Sequence, residues 1–248
     1  MASTSETGHA KNVANFEDLI SFCTGYGEAY KPSKASILIA ALQTKHTDAV
    51  TALARVNTSI PALTNAINAR EIIFVPLIKL VNRVGNAVAA SDVPQQVIND
   101  VKTITRKLVG KRATPKKETI PDDPATPQNE SSKSISASQM SFDSRIENLD
   151  KLLQLLRSQP GYKPNETELS IDGLTTLYNN MVAANTAVVN ATTPVSNARI
   201  SRNDHLYNPK TGLVQVASDV KIYIKSVFGA TSPQYKQVSK LKFNVLTP

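Results

Sequence analysis

The chain has 248 residues, of which 41% are hydrophobic and 5% aromatic, and it contains no tryptophan. This hydrophobic share lies well above that of disordered chains, and nine glycines are too few for a turn-rich sandwich or a doubly wound sheet. The net charge of +8 favours solubility and a weak attraction to polyanions. It is distributed along the chain, because residues 1–109 carry 11 basic and 8 acidic side chains and residues 145–248 carry 12 and 7.

The N-terminal residues 1–11 have neither a basic start nor an apolar core, so we predict a disordered tail and no signal peptide. A short helix over Phe16–Cys23 follows. The apolar neighbours of Cys23, the only cysteine, predict a buried thiol. No apolar run reaches the ~20 residues that span a bilayer, so we predict no transmembrane helix and a cytoplasmic location.

Apolar residues at intervals of three and four then predict a long helix over Ser33–Phe74. Pro61 lies inside it. Because the apolar seam resumes in phase after this proline, we interpret it as a kink rather than as the end of the helix. A second helix is predicted over Leu77–Ala90, and a third begins near Pro94 with Ser91 or Asp92 as its capping residue.

Residues 110–143 contain four prolines among many Ser, Thr, Lys and Asp residues, and they lack helical periodicity. This composition is typical of a flexible linker. A short helix over Arg145–Arg157 is predicted after it.

The last third of the chain repeats the pattern of the first. A long helix is predicted over Asn165–Tyr207 with Pro194 inside it, followed by a helix over Thr211–Phe228. Ser232 before Pro233 indicates the start of a last helix, because proline fits the first helical turn and serine caps it.

Comparing the chain with itself indicates an internal duplication. Tyr30-Lys31-Pro32 recurs as Tyr162-Lys163-Pro164, and further matches follow in the same order, including Arg70 with Arg202 and Pro94-Gln95 with Pro233-Gln234. We therefore predict two helical repeat units, at 12–109 and 144–245. The predicted fold is all-α: an elongated antiparallel helical bundle of about eight helices with pseudo-twofold symmetry. Whether the repeats form one bundle or two domains stays open.

The chain lacks the sequence signals of catalysis. His9, His46 and His205 have no partners at metal-ligand spacing, and no nucleophile, dinucleotide or phosphate-loop motif is present. We therefore predict no catalytic residue, no cofactor and no metal site.

Basic side chains near the helix ends are the candidate binding residues. A planar guanidinium binds phosphate or carboxylate through bidentate hydrogen bonds, so one hypothesis is that these residues form an anion-binding site. A solvated helix end with local ion pairs is the simpler interpretation, and we favour it. The candidate anion-binding residues are Arg70, Arg199, Arg202, Lys236, Lys240 and Lys242.

The long paired helices, the repeated Tyr-Lys-Pro segment and the Asn-Ala-x-x-x-Arg segment resemble an uncharacterised bacterial family of duplicated, all-helical proteins. This resemblance covers most of the chain outside the linker, and it implies no mechanism and no catalytic residue.

The leading functional hypothesis is a non-enzymatic helical scaffold or protein-interaction protein, with a protein partner or self-association and no membrane contact. The alternative is a module that binds polyanions such as nucleic acid through the basic ends of the helical units. Nucleic-acid binding favours a continuous basic face with aromatic side chains, and Tyr235 and Phe243 are the aromatic residues near the last lysines.

Overall fold

A computed structural model of the chain describes residues 8–111 and 140–246. Every regular element in these ranges is helical, which confirms the predicted all-α class and the number of about eight helices. Most of the predicted linker lies outside the described residues. The α-helices are α1 (His9–Gly25), α2 (Ile39–Phe74), α3 (Leu77–Ala89), α4 (Gln95–Val109), α5 (Phe142–Arg157), α6 (Ile171–Tyr207), α7 (Leu213–Phe228) and α8 (Pro233–Ser239), with short 3-10 helices at Gly27–Ala29 and Ala35–Ile37.

The two long helices end at the predicted residues, Phe74 and Tyr207, and begin a few residues later than predicted. Both remain helical through their internal prolines, Pro61 and Pro194. A proline costs an interior helix a hydrogen bond and introduces a clash with the preceding turn. The surroundings of the two prolines differ, because Val195, next to Pro194, is 2% exposed, whereas Ile60, next to Pro61, is 39% exposed.

The start of α1 and the capping of α4 also differ from prediction. α1 begins at His9, so residues 9–11 belong to a helix and not to a disordered tail. Neither predicted residue caps α4, since its N-cap is Pro94 and the Ser91 hydroxyl donates to the Ala87 carbonyl of α3 at 2.7 Å. The prediction for α8 is confirmed, because the Ser232 Oγ accepts a hydrogen bond from the Tyr235 N–H at 3.1 Å.

The chain divides into two compact units. Unit 1 comprises residues 1–64 and 190–248, and unit 2 comprises residues 65–189. The boundaries fall inside α2 and α6. Each unit therefore includes chain from both predicted repeats, and the units do not follow the repeat boundaries. The duplication itself stays a prediction.

The core of unit 1 is built from α1, the start of α2, the end of α6, and α7 with α8. Apolar side chains from opposite ends of the sequence meet in it. Its fully buried members include Phe16, Leu19, Cys23, Leu42, Leu206, Leu213, Ala217, Val220, Ile224 and Val238.

The core of unit 2 is built from the end of α2, the start of α6, and α3, α4 and α5. Its fully buried members include Leu77, Val81, Val84, Val88, Leu108, Leu149, Leu152, Leu174 and Met181.

One stretch of the chain is apolar enough to test the prediction that no transmembrane helix is present. The stretch Ile39–Ala89 contains an 18-residue window with a mean hydropathy of 1.5, apolar enough by length and composition to cross a bilayer, where we predicted no such segment. The sequence criterion used above counted consecutive apolar residues, and the run that begins at Ile72 ends at Lys79, whereas a mean over 18 residues tolerates charged positions. In the structure α2 and α3 are separate helices, and 28% of the window is buried.

One buried hydrogen bond occurs in the same form in each unit. The Tyr30 hydroxyl donates to the Ile37 carbonyl in unit 1, and the Tyr162 hydroxyl donates to the Leu169 carbonyl in unit 2, both at 2.7 Å. The two tyrosines are 6% and 4% exposed, so each phenol satisfies its polar group inside a core. The tyrosines of the two Tyr-Lys-Pro segments, on which the predicted duplication is based, thus make equivalent hydrogen bonds.

Cutting the chain between residues 111 and 140 should leave the two fragments associated. Each core contains helices from both sides of such a cut: α1 with α7 and α8 in unit 1, and α3 and α4 with α5 in unit 2. We expect a protein with a specific-protease site inserted in residues 112–139 to elute from a sizing column at its uncut volume after cleavage. Elution as two smaller, folded species would contradict this expectation.

Candidate polyanion-binding surface

α7 positions two lysines on the outside of unit 1. Its apolar face, which includes Val220 and Ile224, is buried in the core. Lys221 and Lys225 are four residues apart, so they lie one turn apart on the same side of the helix. Burial of one face of α7 therefore fixes the direction of both ammonium groups.

Each of these lysines lies over an aromatic ring. The Lys221 Nζ is 5.0 Å from the ring centre of Phe243, and the Lys225 Nζ is 5.8 Å from that of Tyr235. Both distances are within the range of cation–π attraction. The Lys221 ammonium also donates to the Leu241 carbonyl, and its burial lowers the pKa of this lysine.

Three further lysines extend this surface. Lys236 lies on α8, Lys240 is its C-cap residue, and Lys242 follows in the extended segment, all three exposed. After Asp219 the chain has five lysines and no acidic residue. We call these five lysines, with Tyr235 and Phe243, the lysine surface.

A cleft of about 410 Å³ opens in the lysine surface. Its lining combines ammonium, hydroxyl and amide donors with one aromatic wall. The lining residues are Val214, Ser218, Lys221, Ser239, Leu241, Lys242, Phe243 and Asn244. Donors of this kind bind oxyanions such as phosphate and carboxylate.

The two units differ in charge. The described residues of unit 1 carry 13 Lys and Arg against 6 Asp and Glu, whereas those of unit 2 carry 11 against 9. The basic excess that is distributed along the sequence is therefore concentrated in unit 1 once the chain is folded. Such an excess attracts anions over a distance set by the ionic strength.

The structure assigns the predicted arginines to different units. Arg70 belongs to unit 2, where its guanidinium lies 3.7 Å from the ring centre of Phe142 and donates to the Asn185 Oδ1 at 3.0 Å. Arg199 and Arg202 belong to unit 1, and Arg202 donates to the Asn203 Oδ1 through Nε at 3.1 Å and Nη2 at 2.8 Å. Arg70 thus has a packing role, while Lys236, Lys240 and Lys242 remain together on the lysine surface.

A histidine–tyrosine pair was missed by sequence reasoning. The His9 Nδ1 is 2.7 Å from the Tyr207 hydroxyl, and the Asn12 amide donates to that hydroxyl at 3.3 Å. Burial, and then the charge of Arg202, lowers the pKa of His9, while burial raises the pKa of Tyr207. These bonds join α1 to the end of α6, and 198 residues of sequence separate the two partners.

Unit 1 should lose stability as the pH falls from 7 to 5.5. A histidine whose pKa is lower in the folded protein than in the unfolded chain contributes stability above the unfolded pKa of about 6.5, and this is lost as the pH falls. In His9→Gln, which cannot gain a proton, the free energy of unfolding measured with urea should fall less over this range. Between pH 7 and 8 both proteins should show the same slope, and equal slopes below pH 7 would contradict the prediction.

The buried state predicted for Cys23 is confirmed. Its side chain is 0% exposed, and burial raises the pKa of the thiol to about 12. A thiol reacts with disulfide reagents as its thiolate, which is scarce at pH 8 when the pKa is this high.

A disulfide reagent that absorbs on reaction should therefore leave Cys23 unmodified in the folded protein at pH 8. The same reagent should modify one thiol per chain in denaturant, since Cys23 is the only cysteine. Rapid reaction of the folded protein would show that unit 1 opens around α1.

Among the described residues, no group of three or more His, Cys, Asp and Glu side chains is arranged to hold a metal ion. No protein-family model matches the chain, and neither a curated protein nor a solved structure is significantly similar to it. A functional assignment therefore depends on the chain's own residues.

Proposed function

We propose that the chain is a non-enzymatic helical binding protein whose lysine surface in unit 1 binds polyanions. The observation that carries this proposal is the placement of five lysines on α7, α8 and the segment after them, with no acidic residue beyond Asp219 in the sequence. Two of these lysines lie beside aromatic rings.

Helix electrostatics explain only part of this charge. A cation near the C-terminus of a helix complements the helix dipole, and Lys236 and Lys240 at the end of α8 fit that role. Lys242 lies beyond the helix, and Lys221 lies in the middle of α7. Mutual repulsion among these ammonium groups disfavours the bare surface, and bound anionic groups would relieve it.

Reversing three charges should test the proposal. The variant Lys236→Glu, Lys240→Glu, Lys242→Glu should bind inorganic polyphosphate at least about tenfold more weakly at low salt, since each lost phosphate contact also removes counterion release. The measurement is competition against a fluorescent polyphosphate. The affinity of the unaltered protein should fall steeply with salt, and the variant should show a shallower dependence.

A matched control keeps the net charge change and moves it to unit 2. Lys79, Lys102 and Lys163 are exposed there, so their replacement by Glu alters the total charge equally without touching the lysine surface. We expect the control to weaken binding much less. Equal weakening would show that the net charge alone attracts the anion, and binding insensitive to salt would rule out the proposal.

A scaffold or protein-interaction role is the second candidate. It is favoured by two residues of unit 2, Ile72 near the end of α2 and Val75 just after it, which are 72% and 76% exposed. Large exposed aliphatic side chains that lie close together are typical of surfaces that bind another protein. Self-association is the simplest form of this role.

The self-association form predicts a concentration-dependent increase in mass. In sedimentation velocity runs the double variant Ile72→Lys, Val75→Lys should remain a monomer at concentrations where the unaltered protein dimerises, because two lysines oppose burial of this surface. Ile222→Lys, a similarly exposed aliphatic position in unit 1, is the control. A monomeric unaltered protein at all concentrations would exclude this form.

A further inference from the structure

The cleft in the lysine surface has features that a general polyanion site does not require. Its Phe243 wall is half-buried and borders the same space as Lys221 and Lys242. Ser218 and Ser239 add hydroxyl groups, and Asn244 adds an amide. An anion without rings would use the ammonium and hydroxyl groups but gain little from the aromatic wall.

We propose that this cleft binds one nucleotide of a single-stranded nucleic acid, with the phosphate at Lys242 and the serine hydroxyls and the base against Phe243. The inference rests on the proposed polyanion binding and names the class of ligand. Single-strand binding sites combine a basic groove along the backbone with aromatic side chains that stack on bases. Phe243 beside Lys221, and Tyr235 beside Lys225, supply this combination twice.

The size of the cleft favours a single strand over a duplex. About 410 Å³ lies in the range of sites for small ligands, roughly 300–1,000 Å³, and is suited to one extruded nucleotide. A duplex keeps its bases stacked inside, and reading it requires an element that enters a groove about 12 Å wide. The cleft is open towards solvent, so an unpaired nucleotide can reach it directly.

The role of Lys221 is separate from that of Lys242. The Lys221 ammonium donates to the Leu241 carbonyl, which fastens the C-terminal segment to α7 and holds Phe243 at the cleft. The side chain of Lys242 is exposed, while its backbone carbonyl accepts a bond from the Asn15 amide at 2.6 Å. Replacing the Lys242 side chain therefore leaves the anchoring of its backbone in place.

The test compares three ligands with equal numbers of phosphates and one duplex with twice as many. The probes are a fluorescent oligothymidylate of ten nucleotides, the same oligonucleotide with abasic sites, a ten-base-pair duplex and inorganic polyphosphate. Fluorescence anisotropy should show at least about fivefold tighter binding of the oligothymidylate than of the abasic strand, since each stacked base contributes roughly fivefold or more. The affinity for the oligothymidylate should also exceed the affinity for the duplex.

The variant Phe243→Leu retains apolar packing and removes the ring. It should weaken binding of the oligothymidylate at least about fivefold and change binding of polyphosphate less than about twofold. Protection of Cys23 from a thiol reagent checks that the variant is folded. Equal affinity of the unaltered protein for the normal and abasic strands would overturn the inference. Equal weakening of oligothymidylate and polyphosphate binding by Phe243→Leu would also overturn it. Binding of neither oligonucleotide nor polyphosphate by the unaltered protein would instead refute the proposed function.

Discussion

The structure of unit 1 depends on the burial of α1 and α7 in one core. Phe16 and Leu19 come from the start of the chain, and Val220 and Ile224 come from its last thirty residues, yet all four are 0% exposed. Burial stabilises by about 25 cal/mol for each Å² of apolar area. Because this burial fixes the rotation of α7, it also fixes the outward direction of Lys221 and Lys225. The lysine surface is thus a consequence of how the core is closed.

Local features of the fold could be predicted from sequence, and long-range ones could not. Periodicity located the ends of α2 and α6, and serine before proline located the start of α8, because these signals act within a few residues. The pairing of His9 with Tyr207, and of Lys221 with Phe243, joins residues that no local pattern connects. Arg70 was a candidate for an anion site because the sequence does not reveal its contact with Phe142.

The division into compact units changes the meaning of the charge distribution. Counted along the sequence, the two predicted repeats carry similar basic excesses. Counted over the folded units, the excess lies mostly in unit 1, because α7 and α8 pack with α1 while the acidic residues of α5 belong to unit 2. Two units with equivalent tyrosine hydrogen bonds therefore present different surfaces to a ligand.

A comparison of the two units gives a further reason to assign the lysines to binding rather than to folding. The buried residues of α3 and α7 follow the same helical spacing: Leu77, Val81, Val84 and Val88 in α3, and Leu213, Ala217, Val220 and Ile224 in α7. On this spacing Lys221 lies at the position of Gly85, and Lys225 lies at the position of Ala89. α3 thus forms the same buried face without a charged side chain at these positions, so the packing of α7 does not by itself require the two lysines. Their place on one surface with Lys236, Lys240 and Lys242 supports the proposed binding of anions.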